Sequence, residues 1–187
     1  MSSEEAAATP TKEELIALLR SGKIEEFNRV RPEGKIDLTE ASLVGADLTE
    51  ANLTEANLVG ASLRGASLRG ASLTEAILFK ANLVGADLTE ANLVGARLRG
   101  ANLRGANLVG ANLAGAYLIG ADFREANLTE ADLTRANLTR ANLTRANLVG
   151  ADLTEADLTE ANLTEANLVG ASLRGANLRG ADLTRTN

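Results

Sequence analysis

With 187 residues and a net charge of −6, the chain has the length of one domain, and its interspersed acidic and basic residues exclude the basic stripe of a nucleic-acid binder. It contains no cysteine and no histidine, so disulfides, the commonest general base and a common metal ligand are all missing. One Tyr, three Phe and no Trp are too few aromatics for a conventional core, so the buried surface must come from many small aliphatic residues.

The opening MSSEEAAATPTKEE is acidic and polar where a secretory signal would be basic and then apolar. No apolar run approaches the roughly 20 residues of a membrane span. A soluble, cytoplasmic protein with no membrane partner is expected, and residues 1–9 are expected to form a disordered tail. Residues 10–35 then carry helix signals. Thr11 and Glu14 make a capping-box pattern after Pro10, and Leu15, Ile16, Leu18 and Leu19 follow at helical spacing. Ser21-Gly22-Lys23 breaks that helix, and a second short turn presents Ile24, Phe27 and Val30. Leu15, Leu18, Leu19, Ile24, Phe27 and Val30 are expected to cap the core that begins at Ile36 and Leu38.

From Ile36 to Arg185 the chain divides into thirty five-residue words without insertion. The first residue of each word is Ala except Ile36, and the third is Leu except Phe123. A helix would place successive Leu residues about 140° apart and leave no coherent apolar face. In an extended chain Ala and Leu of one word share a side, but five is odd, so a straight strand would send the next pair to the opposite side. Every pair faces inward only if the chain turns a corner in each word, which makes a coil whose stacked turns form a solenoid. The three words without Asn, Asp or Ser at the second position contain Ile77, Arg97 and Tyr117, spaced by twenty residues. Four words per coil would stack them on one face, about 4.8 Å apart.

The Ala-(Asp/Asn)-Leu-x-x word resembles the pentapeptide-repeat family. The resemblance spans residues 36–185 and implies an all-β, right-handed quadrilateral β-helix over residues 36–187 with a short N-terminal α-helical cap. Thirty words would make about seven and a half coils, a rod of roughly 36 Å. Its C-terminal end, ADLTRTN, stops in mid-rhythm, so an end-to-end contact there is the second choice of interface.

Looking at residues three to five, LTE, LVG, LRG and LTR account for 26 of the thirty words. So small a vocabulary suggests a synthetic consensus-designed or idealised sequence. At a twenty-residue coil Glu125, Arg145, Glu165 and Arg185 stack in alternating sign, and Arg135 and Arg140 stack with Glu155 and Glu160.

Against that background the exceptions stand out. Ile77 and Phe79, Arg97 and Arg99, and Tyr117 and Ile119 are expected to form one outward apolar patch centred on arginine. It has an approximate two-fold about Arg97, which fits an antiparallel side-by-side homodimer. Ala114, beside the patch, leaves room for a partner side chain.

Catalysis is not expected. The serines at 42, 62, 67, 72 and 172 merely replace Asn or Asp, and no histidine is available to activate one. A stacked pair such as Asp132 and Asp152 has no concave pocket, so no metal and no cofactor is assigned. The resemblance implies one alternative, because some family members bind and inhibit DNA gyrase, a type II topoisomerase, as duplex-sized acidic rods. Residues 36–187 hold 18 acidic and 13 basic residues, a net of only −5, which is a poor imitation of a phosphate backbone.

Overall fold

A computed structural model describes residues 9–187; the expected tail at 1–9 therefore lies outside the described residues except for Thr9, which is exposed. Two helices come first, α1 at Lys12–Arg20 and α2 at Ile24–Val30. The Thr11 side chain accepts from the Glu14 N–H while the Glu14 carboxylate takes the Thr11 N–H, so two orphan donors of α1 are satisfied. Leu15, Leu19 and Phe27 are buried, and Ile16, Leu18, Ile24 and Val30 pack half-buried beside them.

Side chains from this helical pair answer backbone groups that would otherwise face an absent coil. Asn28 Nδ2 donates to the Glu50 carbonyl (3.0 Å), and Asn28 Oδ1 accepts from the Asn52 N–H (2.7 Å). The Arg20 Nε donates to the Ser42 carbonyl (2.8 Å) and Arg31 Nη2 to that of Thr54 (3.1 Å). Farther along the rod, the groups that correspond to the Asn52 N–H and to the Ser42 and Thr54 carbonyls bond to the neighbouring coil. The Asn28 amide thus mimics a peptide unit, which is how a β-edge is closed without another strand.

From residue 37 onward the ladder is parallel and its step is constant. Second-position residues bridge those twenty positions on, from Asp37↔Asn57 through to Asn162↔Asp182. Each first-position Ala N–H also donates to the Leu or Phe carbonyl three residues earlier, as in Ala101 to Leu98 (2.9 Å) and Ala106 to Leu103 (3.0 Å). That bond closes a turn at every word and gives four corners per coil. The fifth residue has positive φ throughout, and at half of these corners it is Glu, Arg or Lys rather than Gly, for example Glu90 at 57° and Arg140 at 57°. A left-handed L-residue costs about 1–2 kcal/mol, so the corners are not chosen for backbone ease alone. At Gly60 the Glu40 carboxylate of the preceding coil lies over the bare corner, in the space a Cβ would take.

Inside, first-position Ala and third-position Leu form an uninterrupted column, every one of them buried from Leu38 to Ala166. Phe123 replaces a Leu between Leu103 and Leu143 and is also fully buried. At the last coil Leu168, Leu173 and Leu178 become half-buried and Leu183 is exposed.

The corners are held by the second residue. Its Oδ1 accepts from the N–H two residues on, as in Thr49 to Asp47 (3.1 Å) and Thr139 to Asn137 (3.0 Å), the Asx turn that these side chains favour. The Thr49 hydroxyl, followed by its N–H, holds the Asp47 carboxyl below the usual range, and Thr159 and Thr184 act alike on Asp157 and Asp182. A depressed folded-state value stabilises the rod above the unfolded carboxyl value of about 3.9, and that contribution disappears as pH falls through the folded value. Urea midpoints should therefore be flat from pH 7 down to about 4 and fall below it. Asn keeps the acceptor but carries no charge, so D47N/D157N/D182N should lose these carboxylates' share of the neutral stability and show a shallower acid limb. An acid limb as steep as the parent's would reject this assignment.

Candidate association face

Ile77, Arg97 and Tyr117 do stack: Asn57 bridges Ile77, Ile77 bridges Arg97, Arg97 bridges Tyr117, and Tyr117 bridges Asn137. Phe79, Arg99 and Ile119 lie on the same words, their carbonyls accepting from Gly60 (3.0 Å), Lys80 (3.2 Å) and Gly100 (3.0 Å). The fourth-position N–H groups of Phe79, Arg99 and Ile119 lack the side-chain acceptor that Asn or Asp supplies elsewhere, since their words carry Ile, Arg and Tyr. This stack therefore gives up local stabilisation that most other words retain.

The apolar surface is smaller than the sequence suggests. Ile77, Phe79 and Ile119 are half-buried. The Lys80 Nζ also sits 5.1 Å from the centre of the Phe79 ring, where cation–π attraction holds it over the face. Tyr117 is different, 52% exposed and among the few large apolar residues that reach solvent. Arg97 and Arg99 are exposed too, and neither forms an ion pair among the described residues.

Beside the stack runs a groove of about 290 Å³, lined by Lys35, Glu55, Glu75 and Gly95 along one corner and by Ile77, Arg97 and Tyr117 along the face. Gly95 and Gly115 leave that corner bare, which opens the groove next to Arg97 and Tyr117. Ala114 and Gly115 continue into a second hollow of about 330 Å³ with Arg135, Glu155 and Arg174. Reading only the irregular words misses this groove. Reading the fifth residues in steps of twenty would have found it, because two consecutive glycines interrupt a charged column.

The ladder of charges holds at three rungs: Arg135 to Glu155 (2.7 Å), Arg140 to Glu160 (2.6 Å) and Arg145 to Glu165 (2.8 Å). Arg185 also approaches Glu165, at 3.5 Å. Glu125 departs from the expected column, since its carboxylate pairs with Arg104 at 3.2 Å rather than with Arg145. Both partners are long and exposed, so a diagonal contact competes with the vertical one at little difference in energy. Arg31 reaches the groove's corner from the cap. Burial pushes its guanidinium below the ordinary value, and Glu55 pulls it back.

Of the expected cap residues, Leu15, Leu19 and Phe27 are buried, with Leu18, Ile24 and Val30 at the margin. The described residues contain no group of three or more His, Cys, Asp or Glu placed to hold a metal, and no helix long and apolar enough to cross a membrane.

The family model described as "Pentapeptide repeats (8 copies)" matches residues 35–70, 66–105, 106–145 and 146–185. The chain belongs to the pentapeptide-repeat family. That family folds as a right-handed quadrilateral β-helix, which the constant twenty-residue ladder and four corners agree with. Among solved pentapeptide-repeat structures it is similar to full-length QnrB1, a plasmid-mediated fluoroquinolone resistance protein. The identity is 21% and the TM-score 0.61, over 82% of this chain and 83% of that one. It is also similar to a pentapeptide repeat protein from the Arabidopsis thaliana thylakoid lumen, at 38% identity and TM-score 0.51, over 52% of this chain and 68% of that one. The first likeness establishes the fold alone. No curated protein sequence matches the chain. Pentapeptide-repeat proteins are in general structural or binding proteins, and no enzyme family matches this one.

Proposed function

We propose that this pentapeptide-repeat protein is a non-catalytic, cytoplasmic scaffold rod that associates with a second copy through the face bearing Ile77, Phe79, Arg97, Arg99, Tyr117 and Ile119. The rod has about seven and a half coils and is closed at its N-terminal end by the two helices. One observation carries the reading. Three consecutive coils abandon the second-position Asx turn on one face, and two of the three replacements, Arg97 and Tyr117, stay exposed. Sequence departures that weaken local structure without improving packing concentrate at functional surfaces. A vocabulary as small as that of an idealised design makes such departures the more telling. Tyr and Arg are also the side chains that interface centres favour.

The test is the mass in solution. The parent should sediment at twice 19.4 kDa in the micromolar range, and F79T/Y117N at 19.4 kDa. The variant should lose little thermal stability, because the asparagine that replaces Tyr117 restores the Asx bond to the N–H two residues on and offsets the loss of the half-buried Phe79 ring. A monomeric parent would overturn the proposal. So would a variant that remains dimeric, which would direct attention to the last coil, where Leu183 is 39% exposed.

The competing reading is a rod that imitates duplex DNA and binds a type II topoisomerase such as gyrase. Its support is the rod-like fold shared with QnrB1. The surface charge disfavours it, because Arg64, Arg104 and Arg124 share one face where a phosphate mimic needs unbroken negative potential. Inhibition of gyrase supercoiling by the monomeric variant at micromolar concentration would replace the scaffold proposal with this one.

A further inference from the structure

The corner beside the association face carries a charge code with a two-fold in it. Read in coil steps, its fifth-position column is Lys35, Glu55, Glu75, Gly95, Gly115, Arg135 and Glu155. Lys35, Glu55 and Glu75 form no ion pair among the described residues, and Glu55 and Glu75 stack as like charges one coil apart. Arg31 approaches Glu55, but its Nη2 is held by the carbonyls of Gly34 (2.8 Å) and Thr54 (3.1 Å). Inside one chain this upper half of the column is therefore frustrated, while the lower half is paired through Arg135 and Glu155.

We propose that two rods pair antiparallel, with the two-fold axis at the level of Gly95 and Arg97, and that this corner column sets the register. The inference rests on the association face proposed above and adds its geometry. A two-fold axis lying in the interface and perpendicular to the rods places each corner against the same corner of the partner, running the other way. About Gly95, Lys35 then faces the partner's Glu155 and Glu55 faces the partner's Arg135. Glu75 faces the bare corner at the partner's Gly115, one coil from the partner's Arg97 and about 4.8 Å along the rod. Lys35, Glu55, the partner's Arg135 and the partner's Glu155 close a square in which each anion lies between two cations. The symmetry produces two such squares.

The same operation brings Ile77 against the partner's Tyr117, and Phe79 against the partner's Ile119. At the axis Arg97 and Arg99 each meet their own copy, a repulsion that the carboxylates of the two Glu75 residues, one from each chain, offset in part. At the other corner of the face Glu40 meets the partner's Glu160. Neighbouring registers lose the four opposite-charge contacts along this corner. Shifting the axis by half a coil toward the N-terminus sets Lys35 against the partner's Arg135. Shifting it by the same amount toward the C-terminus sets Glu55 against the partner's Glu155 and leaves only Glu75 with the partner's Arg135 as an opposite pair on this corner. Like charges opposed across an interface disfavour a pairing, so this corner column favours the register about Gly95.

Glu55→Arg alone opposes two arginines twice in each dimer, and Arg135→Glu alone opposes two glutamates twice. Each variant by itself should dimerise about tenfold or more weakly than the parent in low salt. An equimolar mixture should recover most of the lost affinity, because both contacts between positions 55 and 135 across the mixed dimer again join opposite charges. Circular dichroism melts of each variant confirm that the rod and its cap still fold. Sedimentation equilibrium reads the affinities. Parent-like affinity for both single variants, or no recovery in the mixture, would overturn this register. If F79T/Y117N still abolished the dimer in that case, the association face itself would stand. A parent that is monomeric throughout would instead remove the reading on which the register depends.

Discussion

Leu108→Ala is expected to lower the free energy of unfolding by about 3–5 kcal/mol, the range for a Leu-to-Ala cavity in a core that cannot collapse. Leu108 is fully buried in the column between Leu88 and Leu128. Its N–H donates to the Asn127 carbonyl (2.6 Å), and its own carbonyl accepts from Ala111 (3.0 Å), so the backbone around it is held on two sides. The first-position residues nearby are already Ala, and no larger side chain is free to swing into the void. Because each coil touches only its neighbours, damage at mid-rod also weakens the coupling between the two halves. Urea denaturation should show a lower midpoint, and a smaller slope if the halves begin to unfold separately. A loss below about 1 kcal/mol would mean that the stack relaxes and that the rigid-ladder account is wrong.

Phe27→Ala should remove a similar amount, about 3–5 kcal/mol, but its effect should be local. Phe27 is fully buried at the point where α2 meets the first coil. The same helix carries Asn28, whose amide holds Glu50 and Asn52, so loosening α2 also frees the first-coil edge. In hydrogen exchange, the amides of Leu38, Leu43 and Asn57, which bond across the first two coils, should lose protection. Those of Leu138 and Leu143, far along the rod, should keep theirs. Uniform loss along the rod would show that it unfolds as one unit and that the quasi-one-dimensional picture fails. The contrast between the two variants is informative because their energies are alike and only their positions differ.

Much of this architecture can be read from residue order. A period of five with Ala and Leu two apart determines which side chains face inward, and three exceptions twenty residues apart determine the number of corners. Thr11 with Glu14 marks the start of α1 through a bond that depends on three residues of local chain. The Asx turn is equally local, so Asp47 and Asn137 declare their roles without any knowledge of the fold.

Other features are not legible there, for a common reason. Phe79 reads as an outward residue, yet it lies half-buried under Lys80, which is a matter of rotamers on a packed face. Glu125 pairs with Arg104 and not with Arg145, because two exposed cations compete within reach of one flexible carboxylate. Asn28 bonding the first-coil edge depends on where a helix is docked, and nothing in IEEFNRV says that its amide will replace a peptide group.

Residue order by itself thus determined the repeat, the inward column, the stacking register and the cap, since these follow from backbone geometry and from bonds spanning a few residues. Only the tertiary structure decided how deep the side-face residues lie, which charges pair, and that a bare corner at Gly95 and Gly115 opens beside Tyr117. Those outcomes depend on long side chains from different coils competing for the same space. Their energy differences are of the order of an exposed ion pair, about 0–1 kcal/mol, too small for a repeating word to specify in advance.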